Sequence, residues 1–198
     1  MDMDMEFNVA QLMKEPVGAK RSYDFGTPEL QLSPALEGES LALVARDVQG
    51  HITFTRLRAQ VRAVGNAQAQ VELQCSRCLE LFVAPVEAPL DELFKQTIDV
   101  VSGHPLPQSD NPDDDEDDVF PINQNHILDL TEPVRQALLV ALPMRPLHSE
   151  DCRGLCPTCG TNLNLAQCDC TTEEGDPRLA ALSNLLADFD TDDRHSNN

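Results

Sequence analysis

Seven cysteines, grouped two and five, carry the most specific chemistry in this chain of 198 residues. Cys152-Arg-Gly-Leu-Cys156-Pro-Thr-Cys159-Gly160 is followed by Cys168-Asp-Cys170, so five thiols fall within nineteen residues, while Cys75-Ser-Arg-Cys78 stands far upstream. A Cys-x-x-Cys turn aims two sulfurs at one point, and thiolate sulfur is a strong ligand for Zn²⁺. In the downstream pair Pro157 stiffens the turn. Gly160, directly after the second cysteine, is free to take the positive φ that lets backbone N–H groups face the sulfurs. The spacing predicts a structural Zn²⁺ site, with Cys156, Cys159, Cys168 and Cys170 as the first candidate set of ligands.

Other ligand sets stay open. Cys152 can replace Cys170, or Cys75 and Cys78 can join Cys156 and Cys159 and staple the two halves of the chain together. Seven thiols do not furnish two four-cysteine sites, so one is free or non-cysteine ligands join. For Cys75 and Cys78 the plain alternative is packing as small hydrophobes. Disulfides are disfavoured by the odd count and by the opening Met-Asp-Met-Asp-Met-Glu. That opening lacks a basic n-region and an apolar h-region, which gives the expectation of a reducing, cytoplasmic location. A zinc-thiol redox sensor or chaperone-like protein is the competing use of the same residues.

The elements that must hold these thiols read as an α+β fold. An antiparallel β-rich part spans 1–102 and carries the Cys75/Cys78 knuckle, and an acidic flexible linker or insertion follows over 103–118. Residues 119–189 read as a helix plus a small cysteine-rich, zinc-binding lobe with a C-terminal helix, and 190–198 as a disordered tail. Phe7, Val9 and Leu12 before Pro16 suggest a strand or an edge extension, and the β pattern begins at Leu41. Leu57, Ala59, Val61 and Ala63 alternate with Arg56, Arg58, Gln60 and Arg62. Ala67, Ala69, Val71, Leu73 and Cys75 alternate with Gln68, Gln70, Glu72 and Gln74. Taken as a hairpin about the loop Val64-Gly65-Asn66, this register sets Ala63 opposite Ala67 and Arg58 opposite Glu72.

Cys75-Ser-Arg-Cys78 then falls in a strand-to-strand turn before a strand over 79–88, with a further short strand or helical turn over 90–94. Phe120, Ile122 and Ile127 suggest another strand. Asp129-Leu-Thr-Glu132 resembles a capping box for a helix that carries Val134, Ala137, Leu138 and Ala141 on one face and stops at Pro143. Asp176-Pro177 opens a last helix with Leu179, Leu182, Leu185, Leu186 and Phe189 as its apolar stripe.

The formal charge of −20 makes a general nucleic-acid binder a poor reading and favours basic partners. Asp110 to Asp118 places seven carboxylates in nine residues, which repel one another and read as a solvated spacer. No apolar run approaches the length of a membrane span, so no membrane partner is expected. The one locally basic face holds Arg56, Arg58 and Arg62, with Arg46 and Arg77 nearby. His51, His104, His126, His148 and His195 are scattered, without a nucleophile–base pairing, a phosphate-binding glycine loop or a His-Glu-x-x-His motif. His148-Ser-Glu150 before Cys156-Pro-Thr-Cys159 imitates a zinc deaminase signature, but Pro157 lies inside the cysteine pair rather than before it and only five residues intervene. His148 therefore reads as an exposed loop residue or at most a spare ligand, and no catalytic residue is assigned.

The assembled motifs resemble one family. Cys75-Ser-Arg-Cys78-Leu-Glu, Leu128-Asp-Leu130 before the helix ending at Pro143, Cys152 to Asn164, Cys168-Asp-Cys170 and Asp176-Pro-Arg178, in that order, are similar to the YceD-like large ribosomal RNA accumulation proteins over most of 40–190. The resemblance implies a bacterial or plastid factor, not an enzyme, that supports synthesis, processing or stability of large-subunit ribosomal RNA. With the charge of −20, the expected partner is a basic ribosomal protein or assembly factor, and contact with pre-ribosomal RNA is indirect.

Overall fold

The computed structural model describes residues 5–33, 43–100, 102–106 and 119–170. The acidic run Asp110–Asp118, the helix expected from Asp176 and the tail lie outside the described residues. The chain divides into two compact units, Met1–His148 and Ser149–Asn198.

The first unit is built on five strands in the order β2-β3-β4-β5-β6. They are β2 (Lys20–Ser33), β3 (Leu43–Arg56), β4 (Gln60–Gln74), β5 (Leu81–Gln96) and β6 (Phe120–Ile122). The first four pair antiparallel, and β6 joins β5 in parallel. A two-stranded piece pairs β1 (Glu6–Asn8) with β7 (Ile127–Asp129). Helix α1 (Ala10–Lys14) follows β1, and α2 (Thr131–Ala141) packs against β5, β2 and β4. The α+β, strand-rich reading holds.

Phe25, Phe54 and Phe94 are the largest fully buried side chains, packed among Leu12, Ile52, Leu128 and Leu138. Across β3 and β4, Phe54 pairs with Ala63, so a bulky ring meets a small neighbour. Phe7, Tyr23 and Phe54 form a cluster with ring centroids 5.1–5.6 Å apart. Three of the eight aromatics thus meet where β1, β2 and β3 converge.

The expected hairpin at Val64-Gly65-Asn66 is not formed: β4 runs straight through it. The reason is parity. Val61, Ala63, Ala67, Ala69, Val71 and Leu73 are all odd-numbered and all buried, and an uninterrupted strand keeps odd residues on one face. Gly65 serves close approach rather than a turn, because a Cβ there would stand 2.0 Å from the backbone oxygen of His51. Gly50 is similar, with its missing side chain replaced by the ring of cross-strand Phe25, whose Cζ would lie 2.2 Å from a Cβ. The register therefore differs too. Ala63 faces Phe54 and Glu92, and Arg62 forks onto Asp91, Nε at 2.7 Å and Nη2 at 2.6 Å.

Strand β5 absorbs both the strand expected over 79–88 and the segment over 90–94. Its Pro85 and Pro89 sit where β5 has β4 on one side and, among the described residues, no strand on the other. An edge is where the missing N–H of proline costs least and blocks further pairing. The apolar start becomes β1 plus α1. Helix α2 ends as expected before Pro143, and Asp129 Oδ1 accepts from the backbone N–H of Thr131 at 2.8 Å, just before its first turn.

Candidate metal centres

The two Cys-x-x-Cys segments form the same turn. In the first, the N–H of Leu79 donates to the carbonyl of Cys75 at 2.9 Å and the N–H of Cys75 to the carbonyl of Glu80 at 2.9 Å. In the second, Gly160 donates to Cys156 at 2.9 Å and Cys156 to Thr161 at 2.8 Å. The residue after the second cysteine has positive φ in both, 63° at Leu79 and 72° at Gly160. Glycine takes this conformation at no steric cost, whereas Leu79 is held in it by the hydrogen bonds on either side. The result is a knuckle whose inner N–H groups face two sulfurs.

In the first unit the knuckle joins β4 to β5, and both thiols are buried. The segment after α2 is drawn alongside: the backbone N–H and the hydroxyl of Ser76 both donate to the carbonyl of Pro146, at 2.9 and 3.1 Å. Two residues further on, His148 places Nδ1 3.3 Å from Cys78 Sγ and 3.5 Å from Cys75 Sγ. All three ligand atoms lie within 4.8 Å of one another. Burial pushes the Cys75 thiol up, but N–H donors from Cys78, His148 and Arg77 and the imidazole of His148 outweigh it and bring Cys75 down to about 5.

In the second unit the sulfurs of Cys156, Cys159, Cys168 and Cys170 also lie within 4.8 Å of one another. The Cys156 knuckle is flanked by an antiparallel bridge between Leu155 and Asn162. Cys152 is buried in this unit, and Asn164 Nδ2 donates to its sulfur at 3.5 Å. Backbone N–H groups of Cys159 and Thr158 hold Cys156 below the usual thiol range. The Thr161 hydroxyl, aided by its backbone, brings Cys159 down to about 6. Cys170 is pushed up to about 12, chiefly by Cys159. On Cys168 the N–H of Cys170 acts downward, but Cys156 and burial outweigh it and the thiol goes up. Four thiolates side by side repel, so the cluster divides its protons unequally, and a divalent cation at the centre removes the conflict.

Of the candidates read from the sequence, Cys156, Cys159, Cys168 and Cys170 come together. Cys75 and Cys78 are buried and gather with His148. His148 is exposed, as anticipated, yet its ring is no bystander. The signal for it was the cysteine count: seven thiols fall one short of two tetrahedral sites. Each group can hold a metal ion by geometry and donor type. The basic face is partly neutralised, since Arg62 is paired with Asp91. Among the described residues no helix is long and apolar enough to cross a membrane.

Comparison with known proteins places these centres in context. Residues 63–186 match the family model described as large ribosomal RNA subunit accumulation protein YceD. A Mycobacterium tuberculosis protein is 31% identical over 187 residues, covering 92% of this chain and 81% of its own length. A Bacillus subtilis protein is 28% identical over 188 residues, covering 94% of this chain and 99% of its own. An Arabidopsis thaliana protein named large ribosomal RNA subunit accumulation protein YCED homolog 1, chloroplastic, is 29% identical over 155 residues, or 70% of this chain and 48% of its own length. No solved structure matches significantly.

Proposed function

Because this chain belongs to the family of the large ribosomal RNA subunit accumulation protein YceD, we propose that it is a non-enzymatic factor supporting the synthesis, processing or stability of large-subunit ribosomal RNA. The observation that carries the reading is the extent of the match: residues 63–186 take in both knuckles and the helix between them. Zn²⁺ at Cys156, Cys159, Cys168 and Cys170 is architectural in this reading, because an all-cysteine site leaves no open position for a reacting water. A charge of −20 favours a basic ribosomal protein or assembly factor as the direct partner, in the cytoplasm or its plastid counterpart.

The test is the ratio of mature large-subunit to small-subunit ribosomal RNA in cells lacking the protein. A fall in that ratio, restored by the intact gene, is expected; an unchanged ratio removes the ribosomal reading. The exposure of Cys159 and Cys170 favours one second reading, a zinc-thiol redox sensor. Peroxide separates the two: an architectural site keeps its metal under mild oxidation, and a sensor releases it.

A further inference from the structure

We infer that Cys75, Cys78 and His148 are ligands of a second Zn²⁺ ion, distinct from the one at the four-cysteine cluster, with mixed sulfur and nitrogen coordination. Three observations carry this. The Cys75 turn repeats the hydrogen bonds and the positive φ of the Cys156 turn, although Leu79 stands where glycine is comfortable. A backbone held in that conformation by a non-glycine residue, around two sulfurs facing one point, is a binding turn rather than a generic strand connection.

The second observation is the distance from imidazole to sulfur. With Zn–S near 2.3 Å and Zn–N near 2.05 Å, a tetrahedral angle puts nitrogen and sulfur about 3.6 Å apart. His148 Nδ1 is 3.3 and 3.5 Å from the two sulfurs. A simple hydrogen bond ties one nitrogen to one sulfur, whereas near-equal approach to both marks a shared centre. Third, the segment bearing His148 is pinned to the knuckle by two bonds from Ser76 to the Pro146 carbonyl, so the imidazole is positioned by the backbone.

Two thiolates and one imidazole make three of the four donors of a tetrahedral zinc site, all three from the first unit. The site would close the long β4–β5 ribbon onto the chain that leaves α2, a structural role independent of any chemistry.

The experiment uses the purified full-length chain. Its metal content is expected at about two Zn²⁺ per chain. The double variant Cys75→Ser/Cys78→Ser should lose one ion and keep the other; undiminished content overturns the inference. Because that variant removes buried groups and can fail to fold, His148→Ala, at an exposed position, supplies the second readout. In the Co²⁺-substituted protein, ligand-field bands should shift on His148→Ala as water replaces imidazole, and bands that do not move overturn the assignment. Neither readout involves ribosomal RNA, so this inference and the proposed function fail separately.

Discussion

The Nδ1 of His148 lies 3.3 Å from the sulfur of Cys78, seventy positions away in the chain. Among the described residues, the long strand β5, the short strands β6 and β7 and helix α2 lie in that interval, so the contact exists only because β5 returns the chain to the core and α2 carries it back toward the knuckle. Ser76 holds the arriving segment at the Pro146 carbonyl. The bond from Arg135 Nη1 to the Leu32 carbonyl, 2.8 Å, ties α2 to the end of β2 and keeps the helix in register with the sheet. The knuckle is thus a turn held between β4 and β5, and the imidazole stands on the segment after α2, fixed to that turn through Ser76.

Proton release should accompany metal binding at the four-cysteine cluster. Cys168 and Cys170 are raised, Cys170 to about 12, whereas Cys156 and Cys159 are lowered, Cys159 to about 6. At pH 7.5 Cys168 and Cys170 carry protons and Cys159 is largely thiolate. Zn²⁺ binding there should therefore release at least the two protons of Cys168 and Cys170, and affinity should fall faster below pH 6, where Cys159 also protonates. Calorimetry of the variant Cys75→Ser/Cys78→Ser in buffers of different ionisation enthalpy measures the count. A buffer-independent heat would contradict it.

Glu132 in the first turn of α2 is held at about 2 by Arg135, which it meets at 2.5 Å, and by Gln136. A carboxylate with a depressed folded-state pKa contributes stability that is fully present above its unfolded value of 4.5 and is lost as pH falls toward 2. The pair is half-exposed, so its worth is only about 0.3–0.5 kcal/mol. Glu132→Gln should lower the melting temperature slightly at pH 7, and the gap from wild type should close by pH 2–3. A gap that widens on acidification would contradict the sign.

Gly65→Ala should be among the most damaging single-methyl changes in the sheet. The added carbon would meet the His51 carbonyl oxygen at 2.0 Å and the Ile52 Cα at 2.9 Å, both backbone atoms that have no rotamer to escape into. A loss of about 1–3 kcal/mol is expected by denaturant titration. Alanine tolerated without loss would show that β3 and β4 separate more easily than their pairing implies.

Leu79→Gly should stabilise. The side chain is 54% exposed and φ is 63°, so glycine relieves the left-handed penalty at little cost in packing. After the entropy glycine adds to the unfolded chain, a gain of about 0.5–1 kcal/mol remains. The reverse change at the matching position, Gly160→Leu, should destabilise the second knuckle by a similar amount. Thermal unfolding of both variants checks the pair. Destabilisation by Leu79→Gly, or stabilisation by Gly160→Leu, would mean that the two turns are not equivalent.

Local chemistry was legible in the residue order. The Cys-Pro-Thr-Cys-Gly turn, the gathering of Cys156, Cys159, Cys168 and Cys170, the helix from Thr131 to Ala141 and the strand-rich class each follow from patterns a few residues long. Turn geometry, helical period and ligand spacing are set by neighbours in sequence, so they can be read there. Pairing is not of that kind. Odd-numbered apolar residues on both sides of Gly65 are compatible with a hairpin or with one unbroken strand, and the choice rests on β3 and β5 flanking β4 along its length. Gly65 then proves to be a site of close backbone approach, which no property of its own neighbours announces. His148 was decided the same way. Its spacing to Cys78 carries no signal, because only a long-range contact, made once the sheet and α2 have packed, brings an exposed imidazole onto two buried sulfurs.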